Sequence, residues 1–444
     1  MKVTHLSLTD FRNYGTAEVQ LAAGPNLFVG SNGQGKTNLV ESLVFLSTGG
    51  SHRTPIDTAL IRQDAAAAAV RVRLEHDGRA VLLELQLNRG SANKAMVNRG
   101  PARPRDLVRY LATVLFAPED LALVRGEPAV RRRMLDTVLV QRTPRLAGVL
   151  ADYERVLRQR NTLLKSARAS GLRGSALSTL DVWDDRLVLL GSEIIDERSA
   201  LIDDLRQPVR DAYRSVAGDD HDPRLVPLLS VDGAAPDEDD DPGSRSTASS
   251  TASESSSAQG STQARFAAAV TALRSRELDR GVTLVGPHRD DVLFQLNGLP
   301  AKGYASHGES WSFALSLRLA SAQLLREHST TGDPVLILDD VFAELDQARR
   351  ARLAASVHEF EQVLVTSAVL DDVPDALRAH TVHIKAGRVI DAENDGADLG
   401  ADLSADVPAG AGAGHAADAG RAVGADTDAD RGAQADVDAE EASS

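Results

Sequence analysis

The segment NLFVGSNGQGKTNLV, residues 26–40, carries the strongest structural signal in this chain. The apolar residues before Gly30 predict a buried strand, and apolar residues at helical spacing from Leu39 predict a helix that stops at Gly49 and Gly50. Glycines between the strand and the helix let the backbone turn sharply, so that several consecutive amide N–H groups can point at one bound group. A phosphate group fits that geometry, so we expect a nucleotide site here.

This segment matches the phosphate-loop pattern G-x-x-x-x-G-K-[ST], which ends at Lys36 and Thr37. In the pattern, loop amides and the helix N-terminus surround the α- and β-phosphates, the lysine reaches the β- and γ-phosphates, and the threonine binds Mg²⁺. The alternative is a flexible glycine turn before a helix. We predict that a nucleotide and Mg²⁺ bind here. The predicted nucleotide contacts are Gly30, Ser31, Asn32, Gly33, Gln34, Gly35, Lys36, Thr37 and Asn38.

A second motif, PVLILDDVFAELD, lies at residues 334–346. Its apolar run predicts a buried strand, and Asp339 at the end of that strand can hold Mg²⁺ through water, which makes Thr37 and Asp339 the candidate metal ligands. Asp340 is the candidate that orients or deprotonates the attacking water, and Asp340 and Lys36 are our catalytic candidates. The alternative is an acidic turn after a core strand. Because aspartate is one methylene shorter than glutamate, we expect slow hydrolysis.

A third segment, YASHGESWSFALSLRLASAQLL, lies at residues 304–325. Ser306 and Gly308 come just before an amphipathic helix. One interpretation is an ordinary helix cap. The other is a second helix terminus that contacts phosphate, which would add both residues to the nucleotide contacts.

The composition excludes several classes of protein. The 444 residues contain no cysteine, which excludes disulfides, thiol catalysis and cysteine-ligated zinc and fits a reducing compartment. No apolar run approaches the roughly 20 residues that cross a bilayer, and the N-terminus lacks the apolar region of a signal peptide. We therefore expect a cytoplasmic protein with no membrane partner.

Predicted strands lie on both sides of a helical block, which implies an α/β head assembled from the two chain ends with the helices inserted. The helical block has apolar residues three and four positions apart, which is typical of long helices packed side by side as an arm. Two acidic segments have few large apolar residues and are predicted to be disordered. The predicted divisions are an N-terminal lobe of the head (1–122), a helical arm (123–230), an acidic insertion (231–264), the C-terminal part of the head (265–390) and an acidic tail (391–444).

The formal net charge of −15 is unevenly distributed. Residues 391–444 carry 14 acidic and 2 basic side chains, whereas residues 125–173 carry 12 basic and 4 acidic ones. A basic stripe on helices is typical of binding to nucleic-acid phosphates, and the alternative is a solvated helix face. Aromatic residues form only 4% of the chain, which predicts few base contacts and little sequence preference. The candidate DNA-binding residues are Arg131, Arg132, Arg133, Arg158, Arg160 and Lys165.

The order of the motifs resembles the P-loop ATPase heads of the ABC and SMC class: a phosphate loop, Ser-x-Gly before a helix, then a strand that ends in Asp-Asp and is followed by ELD. A closer resemblance is to the RecF family of bacterial DNA replication and repair proteins, over about residues 1–390. It rests on LTDFRNY at residues 8–14, LFAPEDLALVRGEPAVRRRMLD at 115–136, YERVLRQRNTLLK at 153–165 and GPHRDD at 286–291.

This resemblance implies a fold, a cofactor and a mechanism. The fold is an α/β ATPase head built from both chain ends with an inserted arm of short coiled coil, and the nucleotide is ATP. In such heads the signature serine, here Ser306, contacts the γ-phosphate of ATP bound to the other protomer, which implies an ATP-dependent homodimer. The signature reads Gly-Glu where ABC heads usually have Gly-Gln, and Thr366 stands where many have a switch histidine. Both departures leave ATP binding intact and argue against fast turnover. We expect a weak, DNA-stimulated ATPase that acts as a switch and not as a metabolic enzyme.

The resemblance also implies partners. RecF-family proteins work with RecR and RecO, help to load the RecA recombinase at gaps, and support stalled replication and the SOS response. We therefore expect binding to single-stranded and gapped duplex DNA. One alternative is an ABC-type nucleotide-binding subunit whose partner is not DNA. Another is a chromosome-organising protein of the SMC type, but its arms are far longer than roughly 90 residues of helix can form.

Overall fold

The structure is a computed structural model that describes residues 1–170, 178–234, 260–329 and 332–390. The predicted acidic tail lies outside the described residues, and so does the predicted acidic insertion except for its two ends. The described residues belong to one unit, Met1–Asp395. Within these ranges, no helix combines the length and the apolar character needed to cross a bilayer.

The strands are β1 (Lys2–Phe11), β2 (Tyr14–Gln20), β3 (Gly24–Val29), β4 (Ala67–His76), β5 (Arg79–Asn88), β6 (Lys94–Val97), β7 (Gly100–Ala102), β8 (Thr113–Phe116), β9 (Arg224–Leu228), β10 (Asp291–Leu296), β11 (Leu299–Pro300), β12 (Val335–Asp339), β13 (Gln362–Ser367), β14 (His380–Lys385) and β15 (Arg388–Ile390). The helices are α1 (Lys36–Thr48), α2 (Leu121–Arg125), α3 (Pro128–Arg142), α4 (Leu146–Ser170), α5 (Ser178–Ala217), α6 (Thr262–Arg280), α7 (Ala301–Tyr304), α8 (His307–His328) and α9 (Gln347–Val357).

Both chain ends contribute to one sheet, in the order β15-β14-β3-β13-β12-β8. β3 is parallel to β13 and β14, its two neighbours, and Gly24 pairs with Gln362 while Val29 pairs with Ser367. β12 is parallel to both β13 and β8, and only the edge strand β15 pairs antiparallel. Parallel strands need long connections, and here these connections carry the inserted helices. The sheet confirms the predicted α/β head assembled from the two chain ends.

A second sheet is antiparallel, in the order β2-β1-β4-β5-β6-β7. Helix α1 packs in the core that this sheet shares with the parallel sheet, and Leu6, Phe28 and Leu43 all belong to that core. Ten of the thirteen residues of α1 are buried, so the helix has almost no solvent face. The helix that follows the phosphate loop is therefore held from two sides.

Alternation along the parallel strands divides the apolar residues between two cores. Phe28 and Ile337 belong to the core that contains α1, whereas their neighbours Leu27 and Leu336 belong to the core on the other face, with α3, α5 and α8. Strands buried on both faces are expected in a parallel sheet covered by helices. This packing fixes the carboxyl ends of the strands, where Asp339 lies.

The arm consists of α4, α5 and α6, and its own core contains Tyr153, Ile194, Phe266 and Val270. α5 is one helix of 40 residues, which corresponds to about 60 Å at 1.5 Å per residue. We correct the predicted boundary at residue 265. α6 follows the acidic insertion in sequence but buries Phe266 and Val270 against α4 and α5, so it belongs to the arm and not to the C-terminal part of the head.

Candidate nucleotide site

The phosphate loop, residues 30–37, connects β3 to α1. Gly35 has a φ of 115°, and a Cβ there would lie 2.7 Å from the side-chain nitrogen of Asn13, so only glycine fits this position. A Cβ on Gly30 would overlap the carbonyl oxygen of Ile384 on β14. The glycine pattern is thus required by the close approach of neighbouring elements, and the predicted contacts at residues 30–38 form one continuous loop and first helical turn.

Lys36 is only 3% exposed. Its Nζ donates a hydrogen bond of 2.8 Å to the carbonyl oxygen of Gly30, which places the ammonium group against the start of the loop. Gly35 is the N-cap of α1 and supplies no side-chain acceptor, so the first turn keeps the partial positive charge of a helix N-terminus. Together the ammonium group and the helix terminus suit a polyphosphate.

The two candidate metal ligands meet although they come from opposite ends of the chain. Thr37 Oγ1 donates a hydrogen bond of 3.0 Å to Asp339 Oδ1, and Thr366 Oγ1 donates one of 2.6 Å to the same oxygen. Burial raises the pKa of Asp339 to about 6. Carboxylate and hydroxyl oxygens are ligands that Mg²⁺ accepts, and a cation would offset the cost of the buried charge. The donor set therefore fits Mg²⁺.

Asp340 follows directly and adopts a left-handed φ of 51°, which is uncommon for a residue other than glycine. Its amide donates a hydrogen bond of 3.0 Å to Thr366 Oγ1, which holds the turn after β12. Burial raises the pKa of the Asp340 carboxyl, and the charge of Lys36 opposes that shift. The structure thus brings the two candidate catalytic residues to one edge of the parallel sheet.

Ser306 is the N-cap of α8. Its Oγ accepts a hydrogen bond of 3.2 Å from the amide of Glu309, and its own amide donates one of 2.8 Å to Glu309 Oε2. This is a capping box, so the helix-cap interpretation holds within the protomer. Gly308 faces Arg349, whose guanidinium atoms lie 3.1–3.3 Å from the position of a Cβ. A phosphate contact of Ser306 or Gly308 with a second protomer stays a prediction.

The sequence analysis missed two residues in the turn between β1 and β2 that support the phosphate loop. Asn13 Nδ2 donates a hydrogen bond of 3.0 Å to the carbonyl oxygen of Gln34, and Tyr14 Oη donates one of 3.0 Å to that of Gly35. Burial raises the pKa of Tyr14, which keeps its hydroxyl protonated as a donor. The motif LTDFRNY was visible, but no local pattern shows that this turn folds back onto the loop.

A third carboxylate, Glu119, lies near the candidate metal ligands. After burial and the charge of Asp340, the charge of Glu119 also raises the pKa of Asp339. Glu119 follows β8, which is the parallel neighbour of β12. Adjacent parallel strands end at the same edge of a sheet, so a carboxylate just after a predicted strand was a usable signal.

A polar hollow of about 990 Å³ lies beside the phosphate loop. Residues from the β1–β2 turn, the start of α1, the segment before β4 and the end of β5 line it, among them Arg12, Asn13, Asn38, Arg53, Arg62 and Arg89. Buried Glu41 on α1 accepts two hydrogen bonds, of 2.9 and 2.7 Å, from Arg12 and so fixes its guanidinium group. The hollow thus presents cationic and amide side chains beside the phosphate loop, which suits a polar or anionic group.

The DNA-binding prediction is wrong for Arg131 and Arg160. Arg131 is 5% exposed and makes a two-point ion pair with Asp291. Arg160 is fully buried and hydrogen-bonds to Asp184 and Glu277. A buried, paired guanidinium group cannot reach DNA without leaving uncompensated carboxylates behind.

The other four candidates, on α3 and α4, differ in their surroundings. Arg132 donates a hydrogen bond of 2.8 Å to the carbonyl oxygen of Asp290. Arg133, Arg158 and Lys165 are exposed. DNA contacts by these four side chains remain a prediction.

The fold and the site together define a P-loop ATPase head of the ABC and SMC class. Residues 2–389 match the family model described as the RecF/RecN/SMC N terminal domain. The DNA replication and repair protein RecF of Leifsonia xyli subsp. xyli is 64% identical over 392 residues, which cover 88% of this chain and 100% of that protein. RecF of Clavibacter michiganensis subsp. michiganensis is 61% identical over 399 residues, with 88% and 96% covered. The chain belongs to the RecF family.

Solved structures also resemble this chain. A structure of the recombination mediator protein RecF-ATP in the RecFOR pathway superposes with a TM-score of 0.74 at 25% identity, and covers 87% of this chain and 96% of that one. A second structure of that mediator protein, RecF-ATPrS, gives the same TM-score and identity, with 87% and 97% covered. The ATPase-head fold predicted from the sequence is therefore confirmed.

Proposed function

We propose that this chain binds ATP with Mg²⁺ at residues 30–38 and hydrolyses it slowly as a switch in DNA replication and repair. The hydrogen bond between Thr37 and Asp339 supports this most directly, because it joins the phosphate loop to the end of β12 across 302 positions of sequence. Bound Mg²⁺ supplies neutralisation of the phosphate charge. Lys36 and the loop amides hold the phosphates, and Asp340 orients the attacking water and accepts its proton.

The same proposal includes an ATP-dependent homodimer. Ser306 and Gly308 begin α8, and this helix N-terminus is a ready anion site if a second protomer brings its nucleotide there. Ser306 Oγ accepts a hydrogen bond from the Glu309 amide, which keeps the Ser306 side chain in the cap geometry. Two heads would then enclose two ATP molecules, and hydrolysis would separate them.

We further propose that the dimer binds single-stranded DNA and gapped duplex DNA with little sequence preference. The curated relatives are named DNA replication and repair proteins, and a solved neighbour is named a mediator in the RecFOR pathway. On that basis we assign RecR and RecO as partners and RecA loading at gaps as the outcome. A cytoplasmic location fits the absence of cysteine from the 444 residues.

Fluorescence anisotropy of a labelled gapped duplex, titrated with the full chain, tests this function. We expect tighter binding with ATP than with ADP, and weaker binding at higher salt, because phosphate contacts release counterions. Nucleotide binding is measured in parallel with a fluorescent ATP analogue.

Two results would contradict parts of the proposal. No ATP binding would refute the site itself. ATP binding without any DNA binding in either nucleotide would leave an ABC-type subunit whose partner is not DNA, an alternative that the burial of Arg131 and Arg160 makes worth testing.

A further inference from the structure

Five exposed basic side chains lie close together in sequence on the N-terminal lobe. They belong to β6, to the turn into β7 and to the 3-10 segment Pro104–Arg109 with its N-cap. Residues 93–109 contain one acidic residue, Asp106. We call this group the lobe basic surface; its members are Lys94, Arg99, Arg103, Arg105 and Arg109.

The lobe basic surface differs from the paired arginines of the basic stripe at residues 125–173 in how its charge is compensated. Within the described ranges, none of its five side chains has a hydrogen-bond or ion-pair partner. At the end of α3 and in the loop before α4, by contrast, Arg142 pairs with Asp204, and Arg145 pairs with Glu193 and Glu197. A paired arginine must give up its partner before it binds a phosphate, whereas an unpaired one loses only water. Ion pairs therefore neutralise part of the charge of residues 125–173, whereas no described residue neutralises the charge of the lobe basic surface in this way.

A cavity of about 700 Å³ connects the lobe basic surface to the arm. Arg105 lines it from the lobe, and Arg133, exposed and without a side-chain partner in the described part of the chain, lines it from α3. Apolar side chains such as Leu107 and Leu150 form much of the rest of the wall. A cationic side chain that is unpaired among the described residues thus stands on each side of this cleft, Arg105 on the lobe and Arg133 on α3.

We propose that the phosphate backbone of DNA lies along the lobe basic surface and crosses the cleft between Arg105 and Arg133, and not along the outer arm. This inference rests on the proposed DNA-binding function and names the surface that performs it. Flexible cationic side chains without aromatic partners contact phosphates and not base edges, which agrees with little sequence preference. The contacts are set by rigid elements, since β6 and β7 belong to the antiparallel sheet that packs on α1.

The test compares charge reversals of equal size on the full-length chain. The lobe variant is Arg103→Glu with Arg105→Glu. The matched control is Arg186→Glu with Arg276→Glu, because both arginines are exposed, lie on α5 and α6 and have no partner in the described residues. Affinity for a labelled gapped duplex is measured with ATP at several salt concentrations, and binding of a fluorescent ATP analogue checks that each variant is folded.

We expect the lobe variant to bind DNA at least tenfold more weakly. The plot of log affinity against log salt should also become less steep by about 2, since each lost phosphate contact removes about 0.9 from the magnitude of its slope. The control should change affinity less than threefold. Equal losses in both variants, or no loss in the lobe variant, would overturn the inference while the DNA-binding function stands. A parent chain that binds ATP but no DNA would remove both. A loss confined to Arg158→Glu with Lys165→Glu would place the phosphates on the arm instead.

Discussion

At the scale of single residues, two adjacent aspartates at the end of β12 have different environments. Asp339 accepts hydrogen bonds from Thr37 and Thr366 through one oxygen, and burial raises its pKa to about 6. Asp340 is less buried and lies within the electrostatic influence of Lys36. Neighbouring carboxylates in unlike environments can take separate tasks, one at the metal and one at the water.

Asp340→Asn should retain ATP binding and lower ATP turnover at least tenfold. The amide keeps the size of the side chain and the backbone turn but cannot accept a proton from water. Single-turnover hydrolysis and equilibrium binding of an ATP analogue would be measured on the same preparation. Unchanged turnover in this variant would remove Asp340 from its assigned role.

Residues that are consecutive in sequence were the easiest to predict. The loop at residues 30–37 is local, so its pattern and its strand and helix context could be recognised directly. Asn13 and Tyr14 could not be assigned to the same site, because their contacts with Gln34 and Gly35 depend on how β1 and β2 pack over α1. Local spacing carries no information about that packing.

At the scale of elements, the arm is held by a buried ionic cluster. Arg160 on α4 hydrogen-bonds to Asp184 on α5, Glu277 on α6 and the hydroxyl of Thr283. One side chain thus links the three arm helices and the segment that follows them. The basic stripe predicted for DNA contains a residue whose role is to join helices.

Arg160→Ala should lower the free energy of unfolding by about 3–5 kcal/mol, because it leaves Glu277 buried without its guanidinium partner, whereas Asp184 keeps Arg274. The control is Arg158→Ala, two positions away and exposed, which should change stability by less than about 0.5 kcal/mol. Urea unfolding followed by circular dichroism measures both. Equal free energies of unfolding for the two variants would show that the ionic cluster does not stabilise the arm.

A second element-scale feature is the junction between the arm and the GPHRDD motif. His288 Nδ1 accepts a hydrogen bond of 2.7 Å from Tyr153 Oη, and its Nε2 donates one to the carbonyl oxygen of Thr283. Burial lowers the pKa of His288 to about 3. The imidazole is therefore neutral in the folded protein at every pH where the protein is handled.

This junction predicts a loss of stability in mild acid. The unfolded chain binds a proton at His288 below a pKa of about 6.5, whereas the folded chain does so only near 3, so stability falls as pH falls through 6.5. Between pH 7.5 and 5.5 the contribution of this group is about 1.4 kcal/mol. In His288→Gln the difference in unfolding free energy between these two pH values should be smaller by that amount. An identical pH dependence in parent and variant would contradict the assignment.

Elements separated by long stretches of sequence were the hardest to place. α6 follows the acidic insertion, so its sequence position suggested the head, and only the burial of Phe266 and Val270 against α4 and α5 reveals the arm. The partners of Arg160 lie 24 and 117 positions away. Charge counts along the chain cannot show that such partners neutralise a basic stripe.

At the scale of the whole molecule, the proposed dimer can be separated from the helix cap at Ser306. Ser306→Asn should keep stability within about 0.5 kcal/mol, because asparagine is as good an N-cap as serine. The same variant should lose ATP-driven dimerisation, because the larger amide cannot take the place of a hydroxyl on a phosphate. Light scattering with ATP and with ADP measures this.

Lys36→Ala serves as the comparison for the dimer test, since it removes the ammonium group from the phosphate loop and should also prevent the dimer. A Ser306→Asn protein that dimerises with ATP like the parent would confine Ser306 to its role as a helix cap. The two variants together distinguish loss of nucleotide from loss of the contact between protomers.

The order of strands in the parallel sheet also has a consequence for synthesis on the ribosome. β3 emerges early, but both of its neighbours, β13 and β14, begin only at Gln362 and His380. At roughly 5–20 residues per second, the strand that carries the phosphate loop waits on the order of tens of seconds for its partners. During that time both edges of β3 lack their partner strands and Asp339 is missing from the site, so a nascent chain of this protein cannot complete its nucleotide site until translation is nearly finished.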